Sequence, residues 1–343
     1  MIKKILNIIK KEIITFKWFY ISLILITLLF VIELDYAIES PGGLMDLKDK
    51  VNVENSYEEK GSFNLTYVTS RPGTIANIIL SYIIPSWDLS SLDDMRYENE
   101  SEDEIIKRYE LLLREASYDA IEAAFKEANI NYEVINSNII VTHVYDEAKT
   151  DLKVGDIIKS INGNSINTYE ELHNEIIKHK ENEEIEISVL RNDKVVTCKS
   201  KLISSGDRVL IGITYTEVKN IKTDPKVTYI FDKKEGGSSR GLMCALEIYN
   251  RITEYDLTKG LVIAGTGTIN SDGVVGAIAG VKYKLIGAVK KGAKIFIVPS
   301  DNLEEALKVK KENNFDIEII EADNLHNVIE KLKNYWNTKI CLL

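Results

Sequence analysis

The chain has 343 residues, enough for more than one domain, and a formal net charge of −10. This acidic balance argues against a nucleic-acid-binding protein, because phosphate recognition requires a basic surface. The cysteines Cys198, Cys244 and Cys341 are widely separated and indicate no disulfide framework. The histidines match no zinc-site spacing and there is no G-x-x-x-x-G-K-[ST] loop, so we expect no metal, no cofactor and no ATPase.

An apolar run near the N-terminus predicts a membrane helix. Trp18–Ile32 is interrupted only by Ser22 and Thr27, and with the apolar residues up to Ile38 it just reaches the about 20 residues that a bilayer requires. Lysines precede the run and acidic residues follow it, which predicts a cytoplasmic N-terminus and an extracytoplasmic remainder. A cleaved signal peptide and a buried helix are the alternatives. The poor small-x-small match at Ser40–Gly42 favours the uncleaved anchor over the signal peptide.

The segment 39–135 is predicted to connect this anchor to the following domains. Alternating and apolar residues in Val51–Ser70 favour a hairpin, and apolar residues at helical spacing over Ile105–Ala128 predict a connecting helix. Asp88–Glu104, between them, is acidic and contains serine. We interpret it as a solvated linker.

Residues 136–205 have the pattern of a small β-rich domain. A predicted strand at Ile139–Val144 precedes LKVGDIIKSINGNSI, in which Asn162-Gly163 is a hairpin signal. A predicted helix over Tyr169–Lys180 and two further strands complete the segment.

This order of elements resembles a PDZ domain, in which LxxGDxIxxINGxxI is a familiar stretch. Such domains bind extended peptides by strand addition in a groove between a strand and a helix. A β-rich domain that binds nothing is the alternative. The groove walls that the resemblance implies contain Ile139, Ile140, Val141, Tyr169, Leu172 and Ile176.

The most informative part of the sequence is the turn GGSSRG at Gly236–Gly241, which precedes a helical pattern. A serine at a helix start lies beside backbone N–H groups that have no partner within the helix and that can hold an oxyanion. After the apolar strand Gly260–Ile269, an amphipathic helix carries Lys282 and Lys284 in its first turn. A lysine can serve as the base for a serine when burial lowers its pKa. The alternatives without catalysis are that the glycine-serine turn only caps the helix and that the lysines are solvated.

This segment resembles the proteolytic domain of Lon-type peptidases. The family pattern G-P-S-A-G falls on Gly237–Gly241 and implies Ser239 as the nucleophile. The pattern G-G-[LIV]-K-x-K implies Lys284 rather than Lys282 as the general base. The supporting residues that the resemblance assigns to the site are Thr266 and Gly237, and we add Ser238 as the neighbour of the nucleophile.

The site departs from the family pattern at three positions. Ser238 and Arg240 stand where the family has proline and alanine, and Ala279 replaces the first glycine of the lysine pattern. Ser238 is therefore an alternative nucleophile. The bulk of Arg240 beside the oxyanion donors is expected to alter substrate access or to reduce activity.

Anchor, PDZ unit and Lon-type domain occur in the order of the membrane-anchored PDZ-Lon peptidases of Gram-positive bacteria, which the chain resembles. We expect a multidomain α+β and α/β fold with an anchor (1–38), a membrane-proximal region (39–135), a PDZ-like domain (136–205) and a proteolytic domain (206–343). The implied function is an ATP-independent, outward-facing endopeptidase that acts on protein or peptide substrates. The implied partners are the lipid bilayer and copies of the chain itself. We expect no nucleic acid among the partners. A catalytically impaired peptide-binding scaffold is the alternative.

Overall fold

A computed structural model describes residues 10–94, 96–232 and 235–340. The start of the predicted anchor, residues 1–9, and Cys341 lie outside this part of the chain. The chain divides into two compact units, one of residues 1–41 and 68–95 and one of residues 42–67 and 96–343.

The helices and strands are numbered in chain order. The helices are α1 (Lys17–Val31), α2 (Ile75–Ser81), α3 (Glu102–Glu127), α4 (Tyr169–Ile176), α5 (Gly241–Ile252), α6 (Val281–Lys290), α7 (Leu303–Glu312) and α8 (Leu325–Ile340). The strands are β1 (Glu33–Asp46), β2 (Val51–Val53), β3 (Ser62–Thr74), β4 (Asp88–Ser91), β5 (Tyr132–Val144), β6 (Lys149–Thr150), β7 (Ile157–Ile161), β8 (Asn164–Ser165), β9 (Glu184–Arg191), β10 (Lys194–Lys201), β11 (Ile203–Ser205), β12 (Arg208–Leu210), β13 (Ile213–Thr223), β14 (Val227–Tyr229), β15 (Val262–Gly265), β16 (Thr268–Ile269), β17 (Val275–Gly276), β18 (Ile295–Pro299) and β19 (Glu318–Ala322).

The smaller unit contains α1, α2, β4 and parts of β1 and β3. The predicted membrane helix forms α1 but ends at Val31, because the chain becomes extended and Glu33–Ile38 belong to β1. Over the described ranges, none of the helices is long and apolar enough to cross a bilayer. In the predicted linker, Asp88–Ser91 instead forms β4, which pairs antiparallel with β1.

The predicted proteolytic region of the larger unit is built on a sheet with the order β19, β18, β15, β3, β1. The first four of these strands are parallel. In β18, Ile295 and Ile297 face a core with α5 and α8, whereas Phe296 and Val298 face a second core with α6 and α7. Continuous apolar strands of this kind are expected in a parallel sheet that is covered by helices on both faces.

The predicted hairpin over Val51–Ser70 is wrong. β2 pairs with β14, and β3 pairs with β15. The alternating pattern identified strands correctly, but it carries no information about partners that are distant in the chain.

A second sheet of the larger unit has the order β13, β5, β7, β9, β10, β6 and is antiparallel throughout. Asn162 and Gly163 have φ of 48° and 83° and join β7 to β8 in the predicted hairpin. The sheet runs from Tyr132 to Thr223, so the predicted boundaries 136–205 and 206–343 need correction. They fail because β13 follows the β11–β12 hairpin and returns to pair with β5.

Helix α3 packs against both parts of the larger unit. Ser101 and Glu104 form a capping box that starts the helix. In its N-terminal half, Leu111 packs with Ile140 and Val218 of the second sheet. Its C-terminal half enters the core of α5 and α8.

Candidate active site

Ser239 lies in the turn that leads into α5. Gly237 adopts φ of 89°, a left-handed conformation that glycine allows without a Cβ clash. The Ser239 carbonyl accepts hydrogen bonds from the Gly267 N–H at 2.9 Å and from the Thr266 hydroxyl at 3.0 Å. These bonds fix the serine backbone against the residues that follow β15.

Lys284 is brought to Ser239 by α6. Its Nζ is 3.1 Å from Ser239 Oγ and 3.0 Å from Thr266 Oγ1. The Thr266 hydroxyl donates to the Ser239 carbonyl and accepts from Lys284 Nζ, so one threonine orients both other residues. The arrangement matches the requirement that a nucleophile and its base lie within hydrogen-bond reach.

The position of Lys284 follows from the periodicity of α6. Val281, Leu285 and Ala288 are buried in the core with α7, and Lys284 occupies the same helical face. Its side chain therefore points inward, and the residue is only 5% exposed. Lys282 is half-buried, and its Nζ lies 5.5 Å from the centroid of the Tyr283 ring.

The environment of Lys284 favours the neutral amine. Burial, and secondarily the positive charge of Arg240, lower the pKa of Lys284 from 10.5 to about 8. A lysine with this pKa is partly unprotonated near neutral pH and can accept a proton from a serine.

The other predicted supporting residues hold the turn together. The Ser238 carbonyl accepts a hydrogen bond from the Gly241 N–H at 3.1 Å. The Gly237 N–H donates to the Tyr109 carbonyl at 3.1 Å and is therefore not directed at an oxyanion in this conformation. The sequence gave no signal for Tyr109, because it lies on α3, far away in the chain.

A groove in the second sheet lies beside α4. It has a volume of about 410 Å³ and is formed by α4, the β11–β12 hairpin and the start of β13. In the described part of the chain, β13 forms an edge of its sheet beside this groove. The apolar residues that line the groove include Leu172, Ile176, Leu210, Ile211, Ile213 and Tyr215.

The predicted strand wall of this groove needs correction. Ile139, Ile140 and Val141 lie in β5, whose backbone pairs with β13 on one side and with β7 on the other. A strand with two partners has no free edge for a peptide. The alternating segment Arg208–Thr216 carried the signal for the actual wall.

Of the predicted helix residues, Leu172 and Ile176 line the groove. Tyr169 lies at its margin, where its ring packs 5.5 Å from that of Tyr215. Its hydroxyl donates to Glu115 of α3 and accepts from the Glu217 N–H at 2.8 Å. Tyr169 therefore links α4 to α3.

A larger cavity of about 720 Å³ lies between α3 and β14. Its lining includes Glu235, just before the serine turn, but not Ser239, Thr266 or Lys284. We therefore locate the candidate chemistry by the serine and the lysine and not by cavity size. In the described part of the chain, no group of three His, Cys, Asp or Glu side chains is arranged to hold a metal ion.

Two segments match known protein families. Residues 127–202 match the PDZ domain, and residues 232–334 match the Lon protease (S16) C-terminal proteolytic domain. The chain is thus a mixed α/β protein that contains segments of both kinds.

Individual relatives resemble part of the chain. Lon protease homolog 2, peroxisomal, of Caenorhabditis briggsae is 34% identical over 104 residues, which are 29% of this chain and 12% of that protein. The Lon protease of Aster yellows witches'-broom phytoplasma is 30% identical over 96 residues, 28% of this chain and 12% of that protein. The chain therefore spans about an eighth of the length of these relatives. The crystal structure of the PDZ domain of the SdrC-like protein from Listeria monocytogenes is 26% identical, with a TM-score of 0.23, over 24% of this chain and 92% of that one.

Proposed function

We propose that this protein is a serine endopeptidase in which Ser239 is the nucleophile and Lys284 is the general base. The observation that carries this proposal is the buried Lys284 Nζ, 3.1 Å from Ser239 Oγ. The similarity of residues 232–334 to the Lon proteolytic domain supports it. A simple helix cap or a solvated lysine does not account for a lysine residue that is only 5% exposed.

In the proposed mechanism, Lys284 takes the proton of Ser239 as Oγ attacks the carbonyl carbon of the substrate peptide bond. The backbone N–H groups of Ser239 and Arg240 are the donors that we assign to the resulting oxyanion. The Lys284 ammonium then returns the proton to the leaving amine, and the C–N bond breaks. Lys284 next takes a proton from a water molecule as this attacks the acyl-enzyme ester. The Lys284 ammonium then returns the proton to Ser239 Oγ as the ester C–O bond breaks, which releases the carboxylic acid product and restores the neutral lysine.

We assign Thr266 to the orientation of this pair. Its hydroxyl accepts from Lys284 Nζ and donates to the Ser239 carbonyl, so it holds the amine at a fixed distance from the serine. No ATP is assigned to this chemistry, because the sequence contains no phosphate loop of the G-x-x-x-x-G-K-[ST] type.

The groove between α4 and β13 is proposed to select or present extended segments of protein substrates, or to restrain the peptidase until such a segment binds. Its support is the edge strand beside a helix, together with the match of residues 127–202 to the PDZ domain. Peptide backbone would pair with β13, and apolar side chains would contact Leu172 and Ile176.

Attachment to the outer face of a cell membrane through the N-terminal segment is also part of the proposal. The support is α1, none of whose residues is buried and which exposes large apolar side chains such as Trp18 and Leu25. Lysines before it and acidic residues after it favour the outward orientation. The order of the segments favours a Gram-positive source and, by the same resemblance, a homo-oligomer, which sedimentation of the purified protein would test.

A peptide-binding scaffold without peptidase activity is the second candidate function. It is favoured by Arg240, which replaces a small residue beside the proposed nucleophile. A fluorophosphonate probe, which reacts with activated serines, distinguishes the two functions. We expect mass spectrometry to find the adduct on Ser239 in the full chain and to find none after Lys284→Ala. Labelling that is independent of Lys284, or that occurs on Ser238, would contradict the assignment.

A further inference from the structure

Arg240, the residue directly after Ser239, is folded back over the turn. Its Nη2 donates to the Gly236 carbonyl at 3.0 Å, and its guanidinium lies 4.7 Å from the centroid of the Phe231 ring. Only 12% of the side chain is exposed. Arg240 thus contacts residues that precede Ser239. Its hydrogen bond links the end of the turn to Gly236 at the beginning of the turn.

A carboxylate links Arg240 to a second cation. Glu235 Oε2 is 3.7 Å from Arg240 Nη1, and Lys50 Nζ donates to Glu235 Oε1 at 2.9 Å. Asp232, 3.6 Å from Lys50, is largely exposed, so solvent screens its charge. Lys50 and Arg240 thus share the half-buried carboxylate of Glu235, and only Lys50 has a second carboxylate, the exposed Asp232, beside it among the described residues.

In the described part of the chain, Lys284 has no carboxylate partner. Its Nζ contacts the hydroxyls of Ser239 and Thr266, and the charge that lowers its pKa is that of Arg240. Arg240 itself faces the carboxylate of Glu235 and the thiol of Cys244. When two cations share a buried region, a lysine can release its proton whereas an arginine remains charged.

We propose that Arg240 is a positioning residue of the Ser239–Lys284 pair, which holds the serine turn in place and puts a permanent positive charge directly after the serine that Lys284 contacts. This inference rests on the proposed peptidase function. It reverses the expectation from the sequence that Arg240 hinders the site. Arg240 is assigned no contact with the reacting atoms and acts through the turn and through Lys284.

The pH dependence of peptide cleavage tests this role. Arg240→Met keeps the length of the side chain and its packing on Phe231 but removes the charge, whereas Arg240→Lys keeps the charge. We expect the acid limb of kcat/KM to move to higher pH by at least half a unit in Arg240→Met, about a threefold loss at pH 7. In Arg240→Lys, the acid limb of kcat/KM should stay at the same pH as in the unmodified chain.

Two outcomes would overturn the proposal. If both variants lose activity equally at every pH, Arg240 only supports the turn. If Arg240→Met is at least as active as the unmodified chain at pH 7, Arg240 hinders the site. Should Arg240→Met not fold, as judged by thermal unfolding, Arg240→Gln replaces it.

A second measurement does not depend on activity. In the full chain with Ser239→Ala and ¹³C-labelled lysine, NMR titration should give Lys284 a midpoint near 8, the value expected from its burial and the charge of Arg240. Adding Arg240→Met should raise that midpoint, and an unchanged midpoint would refute the electrostatic role. If the midpoint moves but the unmodified chain cleaves nothing, the peptidase proposal alone fails. If cleavage occurs and neither the midpoint nor the acid limb moves, the Arg240 proposal alone fails.

Discussion

Lys284 combines two properties that oppose each other in a folded protein. Its amine must be neutral to accept the serine proton, and burial lowers its pKa to about 8 for this purpose. The same burial disfavours the protonated form, which predominates below that pH. In the unfolded chain a lysine has a pKa of about 10.4. The unfolded chain therefore binds a proton at Lys284 more tightly than the folded chain does. The folded state is therefore destabilised near neutral pH by the group on which its chemistry depends.

We expect Lys284→Met to abolish cleavage and to raise the free energy of unfolding at pH 7. The penalty from a pKa lowered to about 8 is complete below that pH and disappears as the pH rises toward 10.4, so the gain is at most about 3 kcal/mol. The variant also loses the hydrogen bonds to Ser239 and Thr266, which reduces this gain in the free energy of unfolding. Urea unfolding at pH 7 and pH 10 measures the difference, which should shrink at pH 10.

Lys308→Met is the control for this comparison, because Lys308 is exposed on α7. It should change the free energy of unfolding by less than about 0.5 kcal/mol at either pH. An effect of Lys284→Met that is equal at pH 7 and pH 10 would contradict the account of a buried, neutral amine.

At the scale of elements, α3 contacts the serine turn through Tyr109. The Tyr109 carbonyl accepts the Gly237 N–H, and a Cβ placed on Gly236 would lie 2.6 Å from Tyr109 Cβ. Arg108 lies over the rings of Tyr97 and Tyr109 and pairs with the buried Glu100. The N-terminal half of α3 is thereby fixed, and the turn takes its position from the helix.

Gly237→Ala tests whether the conformation of this turn controls activity. Gly237 has φ of 89°, and Gly292, at the end of α6, has φ of 85° with open space around it. Alanine in either position should lower the free energy of unfolding by about 1 kcal/mol, because a Cβ is strained there. Only Gly237→Ala should also lower kcat/KM, by about tenfold or more. Equal activity of the two variants would show that the turn tolerates displacement.

Sequence patterns predicted the elements better than their partners. The predicted helices at Ile105–Ala128 and Tyr169–Lys180 correspond to α3 and α4, because apolar periodicity depends on local geometry. β2 and β13 were placed wrongly, because pairing with β14 and β5 is decided by the assembled core. In the candidate site, the serine and lysine follow from motif and periodicity. The contacts of Tyr109 and Glu235 with the turn are tertiary and left no pattern in the sequence.

At the scale of the whole molecule, the chain contains a proposed peptide groove and a proposed hydrolytic site. The proposed function requires that a long substrate contact both, whereas a short peptide need contact only the hydrolytic site. Cleavage of a protein substrate and cleavage of a short peptide should therefore respond differently to changes in the groove.

Leu210→Asp places a charge in the groove, where Leu210 is 36% exposed on β12. We expect it to reduce cleavage of casein at least about fivefold and to leave cleavage of a short fluorogenic peptide within about twofold, since only the protein substrate loses contacts worth about 1 kcal/mol or more. Val195→Asp is the matched control, because Val195 is exposed on β10 and does not line the groove. Equal loss for both substrates would mean that Leu210 acts on the fold.

The most direct test of the proposed Ser239–Lys284 chemistry is casein cleavage by the full chain without ATP. The full chain is used because β1 starts at Glu33, within the predicted anchor (1–38), and belongs to the same sheet as β15 and β18. We expect Ser239→Ala and Lys284→Ala to lower cleavage by about 10³-fold or more, and Ser238→Ala to retain it within a few fold. Cleavage that survives Ser239→Ala, or that is lost only in Ser238→Ala, would contradict the proposed catalytic pair.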